Sequence, residues 1–142
     1  MSISDCMYCS EDERLQSMMT EICELPHSRV YLFKDQFFRG RCVVAYKKHV
    51  SEFFQMSSSE RSLFIDDVSR VAEVIHSALR PQKINYLVFG DNVSHMHIHI
   101  IPKYKENALW GTPYIANPFN VKALPDAEFR ELLSFLRDKL QR

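Results

Sequence analysis

The sequence has no excess of charge of either sign, because its 18 Lys and Arg residues equal its 18 Asp and Glu residues. A neutral chain exerts no long-range attraction on nucleic acid or on an anionic membrane, so any phosphate binding must come from a local site. The chain also lacks an apolar run of membrane-spanning length, and its N-terminus lacks the regions of a signal peptide. We therefore expect a cytoplasmic protein that binds neither nucleic acid nor a membrane.

Repeats, low-complexity segments and interdomain linkers are absent as well, and 142 residues suffice to bury a core. The sequence therefore predicts a single domain over residues 1–142. Residues 29–33 and 41–46 are β-rich and are separated by a turn around Gly40, which predicts a hairpin. Residues 84–89 predict another strand, and a Gly-Asp-Asn turn leads from it into a further strand.

Capping patterns and prolines predict three helices. Residues 10–13 and 57–60 have capping-box spacing, Pro81 ends the second helix, and Pro125 starts the third. The apolar positions assigned to these helices are Leu15, Met18, Met19 and Ile22, then Val68, Val71, Ala72, Ile75 and Leu79, and finally Phe129, Leu132, Leu133, Leu136 and Leu140. Hairpins in a mixed order with helices favour an α+β fold with an antiparallel sheet.

Three histidines at alternate positions, His95, His97 and His99, are the most informative feature of the chain. Alternation is the period of a strand, so the three imidazoles should project from one face and the apolar residues between them from the other. Each desolvated imidazole needs a polar partner, so such a row is a costly way to build an ordinary buried face. The spacing alone allows a metal site, an anion site, or a nucleophile with supporting groups.

The four cysteines fall into two groups, two isolated residues and one closely spaced pair. Cys23 and Cys42 lie in a predicted helix and a predicted strand, where buried free thiols are expected. Cys6 and Cys9 form a C-x-x-C motif, for which a structural disulfide is disfavoured in a cytoplasmic chain and a redox pair lacks thioredoxin-like surroundings. Two cysteines cannot complete a four-coordinate zinc site, so histidines would have to supply the other ligands.

Residues 95–101 fit the His-φ-His-φ-His-φ-φ signature, in which φ is apolar, of the histidine-triad (HIT) superfamily. Other features of that family occur in the same order along the chain: the C-x-x-C motif, Lys47-Lys48-His49-Val50, Gly90, Pro102 and Trp110-Gly111. The chain thus resembles a HIT protein over about residues 5–120. The resemblance implies an α+β fold with a five-stranded antiparallel sheet and packed helices.

The resemblance also implies a reaction. It is the hydrolysis of a nucleoside phosphoramidate or a dinucleoside polyphosphate to a nucleoside monophosphate. His97 would be the nucleophile that becomes nucleotidylated, and His99 would donate to a phosphate oxygen and help to protonate the leaving group. His95 would support both. A third histidine is typical of the hydrolases of the family, whereas the transferases have glutamine there.

A zinc ion and a dimer are implied in the same way. The positions that form a structural Cys2His2 zinc site in members with C-x-x-C are Cys6, Cys9, His49 and His95. HIT hydrolases pair as two-fold dimers, for which the helix over residues 59–80 and its edge strand are the expected surfaces here. Trp110 would then either reach the partner's site or pack on its own chain.

The expected nucleotide contacts include one departure from the family. Asp35 lies where many members place a ribose-binding acid, and Phe33 and Phe37 would either wall the base or belong to the core. Backbone N–H groups of residues 90–93, including Val93, and the Asn92 amide would bind the phosphate. Relatives have Gly-Gln-Ser/Thr-Val before the triad, whereas this chain has Gly-Asp-Asn-Val. Asp91 would repel a phosphate unless it points away.

Two other functions are compatible with these residues. The first is a nucleotide-binding regulatory module with weak turnover or none, which the acid at position 91 favours. The second is a metallohydrolase that uses all three histidines on a catalytic metal, although the strand offers no carboxylate ligand beside them.

Overall fold

The structure is a computed structural model that describes residues 2–107, 109–113 and 122–141. Its strands are β1 (Met19–Glu24), β2 (Ser28–Phe33), β3 (Cys42–Tyr46), β4 (Lys83–Leu87) and β5 (His97–Lys103). Its helices are α1 (Met7–Ser10), α2 (Glu13–Met18), α3 (Ser58–Leu79) and α4 (Asp126–Leu140), with a 3-10 turn at Phe53–Gln55. In the part of the chain described, no helix has the length and apolar character that crossing a bilayer requires.

The five strands form one sheet in the order β1-β2-β3-β5-β4, and every neighbouring pair is antiparallel. This confirms the predicted α+β fold and five-stranded sheet. One face of the sheet carries the main core, to which α3 and α4 contribute their apolar sides. The other face carries a smaller cluster, which includes Cys6, Met7, Tyr8, Leu15, Tyr31, Val43 and Ala45. The N-terminal segment therefore covers the face of the sheet opposite to the long helices.

Local sequence signals set the ends of α3 and the turn before β3. The Ser57 hydroxyl accepts a hydrogen bond from the Glu60 backbone N–H at 3.1 Å, as the capping box predicted. At the other end Arg80 adopts the left-handed conformation, with φ 49°, and Pro81 follows. Gly40 has φ 93°, and a Cβ there would collide with the Leu79 side chain. The turn before β3 therefore requires glycine.

The prediction of a helix through Met19 and Ile22 was wrong, because these residues lie in β1. Asp12 caps α2, which ends at Met18. A β-bulge follows: Glu21 pairs with Tyr31 and Cys23 with Val30, so Ile22 is an extra residue in its strand. The bulge breaks the two-residue alternation of buried side chains, and this made the apolar spacing look helical. Cys23 is accordingly a buried strand residue, not a helical one.

Candidate functional site

The two C-terminal histidines of the triad lie side by side on β5, at the centre of the sheet. Val43 pairs with His99 and Ala45 with His97, so both imidazoles project from the face that carries the smaller cluster. Both are buried, and their ring centroids are 5.2 Å apart. His95 precedes the first residue of β5 by two positions, but the Tyr8 ring contacts both the His95 and the His97 rings, so all three share one side.

One hydrogen bond fixes the tautomer of His97. Its Nδ1 lies 2.6 Å from the carbonyl oxygen of His95, and a carbonyl can only accept, so Nδ1 carries the proton. The lone pair of the neutral ring is therefore at Nε2. Burial lowers the pKa of His97 below the usual histidine value, although the bond to the His95 carbonyl opposes this shift. The ring is thus a neutral base with one nitrogen available for attack.

His99 has the opposite tautomer. The Arg41 Nη2 lies 3.1 Å from the Nδ1 of His99, and a guanidinium can only donate, so Nδ1 accepts and Nε2 carries the proton. Burial, the charge of Arg41 and the neighbouring His97 lower the pKa of His99 to about 3. The Arg41 guanidinium lies over the Phe33 ring, with Cζ 4.0 Å from its centroid. His99 is therefore a neutral hydrogen-bond donor.

A cavity of about 460 Å³ opens beside these two rings. Its lining includes Asn92 and Val93, whose role in phosphate binding stays a prediction, and also Asp91, the acid that distinguishes this chain. Among the residues that the structure describes, the cavity is lined by Met7, Tyr8, Met18, Met19, Phe33, Phe89, Gly90, Asp91, Asn92, Val93, His97 and His99. Its volume is in the range of small-ligand sites. The structure thus brings the turn before the triad to the same space as the two histidines.

Asp35 does not line this cavity. Its Oδ1 accepts hydrogen bonds from the backbone N–H groups of Phe37 at 3.1 Å and Lys122 at 3.0 Å. Phe37 packs edge-to-face on Phe38 and also lies outside the lining, whereas Phe33 belongs to it. The assignment of Asp35 to the ribose stays a prediction.

The second cluster consists of Cys6, Cys9, His49 and His95, the four residues that the family resemblance indicated. One ligand atom of each lies within 4.8 Å of the other three, so together they can hold a metal ion. The His95 Nδ1 lies 3.4 Å from the Cys6 Sγ and 3.5 Å from the Cys9 Sγ. The His49 Nδ1 lies 3.3 Å from both the Cys9 Sγ and the His95 Nδ1.

The backbone of β3 orients the His95 ring toward this cluster. His95 Nε2 lies 2.6 Å from the carbonyl oxygen of Tyr46, so Nε2 donates and the lone pair is at Nδ1, among the sulfur atoms. Tyr8, the second residue between the two cysteines, places its ring 5.1 Å from that of His97. The C-x-x-C segment is therefore in direct contact with the histidine cavity.

Sequence reasoning missed Arg41 and Tyr8. Arg41 lies 58 positions from His99 in the chain, and no local pattern links the two. Tyr8 had a weak signal, because it lies inside the C-x-x-C motif that was expected to reach the triad. Trp110, 37% exposed, lines a separate cavity with Lys83, Lys103 and Thr112, so its proposed contact with a partner's site stays a prediction.

The fold and this site define a class of protein in which a central strand presents alternate histidines to a cavity. Residues 14–106 match the sequence profile of the family described as HIT domain, so the chain belongs to the HIT family. An uncharacterized HIT-like protein of Mycoplasma genitalium is 27% identical over 87% of this chain and 89% of its own length. The protein hit of Bacillus subtilis is 26% identical over 65% of this chain and 70% of its own length.

Solved structures agree with the fold. A histidine triad protein of Marinobacter aquaeolei has a TM-score of 0.81 at 17% identity, and the alignment covers 92% of this chain and 94% of that one. A zinc-bound histidine triad family protein of Mycobacterium smegmatis has a TM-score of 0.69 at 20% identity, with coverage of 99% and 96%. At 17% and 20% identity, these two structures show that the fold is shared and nothing beyond the fold.

Proposed function

We propose that the protein hydrolyses nucleotides in the histidine cavity by transferring a nucleotidyl group to His97 and then to water. The substrate is a nucleoside phosphoramidate or a dinucleoside polyphosphate, and a product is a nucleoside monophosphate. The observation that carries this proposal is the opposite tautomer of the two rings: His97 has a lone pair at Nε2 and His99 has a proton there. Displacement at phosphorus needs such a pair, a nucleophile beside a donor that stabilises the phosphoryl oxygens.

In the first step the His97 Nε2 lone pair forms a bond to phosphorus, while the bond to the leaving group breaks and its electrons go with that group. A phosphate leaving group departs as an oxyanion, whereas the nitrogen of a phosphoramidate takes up a proton from solvent as it leaves. Donors for the phosphoryl oxygens are His99 Nε2–H, backbone N–H groups of residues 90–93 and the Asn92 amide. In the second step water attacks phosphorus, the N–P bond breaks and its electrons return to Nε2. The proton lost by the water passes to bulk solvent.

We also propose that the Cys2His2 cluster holds a structural zinc ion. Zn–S bonds of about 2.3 Å and Zn–N bonds of about 2.0 Å at tetrahedral angles put sulfur and nitrogen ligands about 3.5 Å apart, and two nitrogens about 3.3 Å apart. The four short separations in the cluster, 3.3 to 3.5 Å, fit these values. Bound zinc would join the N-terminal segment to His95 and the loop that contains His49.

One observation favours a second function, a nucleotide-binding module with little turnover. Asp91 lies on the cavity lining, where an ionised carboxylate weakens the binding of a phosphate. A metallohydrolase that uses all three histidines has less support, because each ring directs Nδ1 to a different partner. Those partners are the cysteine sulfurs for His95, a carbonyl for His97 and a guanidinium for His99.

The test is mass spectrometry of the protein mixed with dinucleoside polyphosphates and with nucleoside phosphoramidates, quenched in alkaline denaturant because acid hydrolyses an N–P bond. We expect a nucleotidyl group on a peptide that contains His97, and a loss of at least about 1000-fold in kcat for His97→Ala with nucleotide affinity retained. His27→Ala, which replaces a histidine outside the cavity, is the control and should retain activity. Binding without any turnover would favour the regulatory module, and turnover of His97→Ala within tenfold of wild type would exclude the covalent route.

A further inference from the structure

The buried guanidinium of Arg41 lies behind His99 and is absent from the residues that line the cavity. It contacts the site through the hydrogen bond that its Nη2 donates to the Nδ1 of His99. An arginine here does more than a neutral donor would, because it cannot accept a hydrogen bond and keeps its charge at all ordinary pH values. A proton on Nδ1 of His99 would face both a donor and a positive charge.

The surroundings of Arg41 hold it in this position. Its backbone carbonyl accepts hydrogen bonds from the Phe33 N–H at 3.1 Å and from the Gln36 Nε2 at 3.2 Å, and its own N–H donates to the Phe38 carbonyl. The Phe33 ring packs on the guanidinium and makes an edge contact with the His99 ring. The side chain and its partner are thus held by the β2–β3 connection, which the required Gly40 shapes.

We propose that Arg41 is a positioning residue that keeps His99 a neutral hydrogen-bond donor, and that it thereby biases the site toward leaving groups that depart as stable oxyanions. This inference rests on the proposed function. A neutral imidazole can donate a hydrogen bond through Nε2–H, but only an imidazolium can release a proton to a leaving group at moderate pH. Burial is the largest cause of the low pKa of His99, and the charge of Arg41 lowers it further.

The consequence differs for the two kinds of substrate. In a dinucleoside polyphosphate the P–O bond breaks and its electrons remain on a phosphate oxygen, which is stable without a proton. In a phosphoramidate the P–N bond breaks and its electrons would remain on an amide anion, so the nitrogen must receive a proton as it leaves. A site in which Arg41 excludes the imidazolium form of His99 supplies the hydrogen bond but not that proton.

The experiment compares kcat/KM for esters and amides that share one nucleoside 5′-phosphoryl group: a 4-nitrophenyl ester, a phenyl ester and an alkyl phosphoramidate. Wild type should cleave the 4-nitrophenyl ester fastest and the phosphoramidate slowest. Arg41→Met should move the ester-to-amide ratio at least about tenfold toward the amide. Its rate with the amide should fall as the pH rises through the pKa of His99, because the imidazolium form is then lost. Arg41→Lys, which keeps a charged donor, should retain most of the wild-type ratio.

Arg39→Met is the matched control, because Arg39 is about half exposed and pairs with Glu128, away from the cavity. An unchanged ester-to-amide ratio in folded Arg41→Met would overturn the inference. It would also be overturned if Asp91→Asn were the only variant to lose the cleavage of the amide. If no probe yields a nucleotidyl intermediate at His97, the proposed function itself fails.

Nitrogen-15 NMR of the wild-type imidazoles tests the tautomer even if Arg41→Met does not fold. Signals that vanish in His99→Gln are assigned to His99. At pH 7 they should show a protonated Nε2 and an unprotonated Nδ1, and those of His97 the reverse. A protonated Nδ1 on His99 would overturn the inference.

Discussion

At the scale of single residues, burial determines how the site responds to pH. The pKa of His97 and that of His99 are both lowered, so both rings stay neutral on acidification below the usual histidine value of about 6.5. We expect the single-turnover rate to be flat from pH 8 to about 6.5 and to fall only at lower pH, as the nucleophile gains a proton. A midpoint at or above pH 7, in protein that retains its metal, would contradict this prediction.

The carboxylate of Asp91 gives a second prediction at this scale. Replacing it with asparagine removes a negative charge from the cavity lining and adds an amide donor. We expect Asp91→Asn to bind a nucleoside monophosphate about fivefold more tightly, equivalent to about 1 kcal/mol, the order of one screened charge interaction. Isothermal titration calorimetry measures the change, which should shrink in 1 M salt.

Asp66→Asn is the control for this charge change, since Asp66 is exposed on α3. It should leave the affinity unchanged. Weaker binding by Asp91→Asn would mean that the carboxylate contacts the ligand favourably, as it would with a basic substituent.

At the scale of elements, the short helix α1 depends on the metal cluster. Its four residues cannot form a stable helix alone, and Cys6 and Cys9 are two of the four ligands. We expect Cys6→Ser to lower the zinc content and to destabilise the fold by about 3 kcal/mol, which corresponds to a fall of roughly 10 °C in Tm. Elemental analysis and thermal unfolding measure the two effects together.

Cys42→Ser separates metal loss from the loss of a buried thiol. Cys42 is buried in β3, outside the cluster, so this variant should lose stability but keep its zinc. If Cys6→Ser keeps full metal content, the Cys2His2 assignment is wrong.

Elements with local signals could be predicted from the sequence, whereas those that depend on tertiary contacts could not. The Ser57 cap and Pro81 predicted α3, and the alternate histidines predicted their common face. β1 was not predicted because of the bulge at Ile22: an extra residue in a strand gives its apolar side chains the spacing that is typical of a helix. Asp67 has no local signal either: it accepts hydrogen bonds from the His27 N–H and the Ser28 hydroxyl, 40 and 39 positions away.

The site divides in the same way. The residue types of the triad and of the cysteine cluster predicted which groups would be present. The tautomers were not predictable, because they depend on which atom faces each ring: a carbonyl for His97 and the guanidinium of Arg41 for His99. Such contacts exist only after the sheet has formed.

At the scale of the whole molecule, we propose that two copies pair through β4 and α3. β4 is an edge strand of the sheet, and edge strands present unpaired backbone donors and acceptors. The Tyr86 side chain on this strand is 50% exposed and lines a groove with Ala72, Glu73 and His76 of α3. Light scattering at micromolar concentration should report twice the chain mass of 16.7 kDa.

Tyr86→Asp should shift this mass toward the monomer, because it places a charge in the proposed interface. Phe54→Asp is the control, since Phe54 is 80% exposed and lies outside β4 and α3. A monomeric wild type with full activity would exclude both the dimer and a shared role for Trp110.

The bond from the His97 Nδ1 to a backbone carbonyl has a consequence for how this protein can vary. The acceptor belongs to the main chain, so no replacement of the His95 side chain removes that oxygen atom. The orientation of His99 depends instead on the side chain of Arg41, which a single codon change can eliminate. A complete mutational scan would therefore reveal the partner of His99 and miss that of His97. During evolution, a point mutation at Arg41 can therefore change the tautomer of His99, whereas the orientation of His97 persists as long as the backbone keeps its conformation.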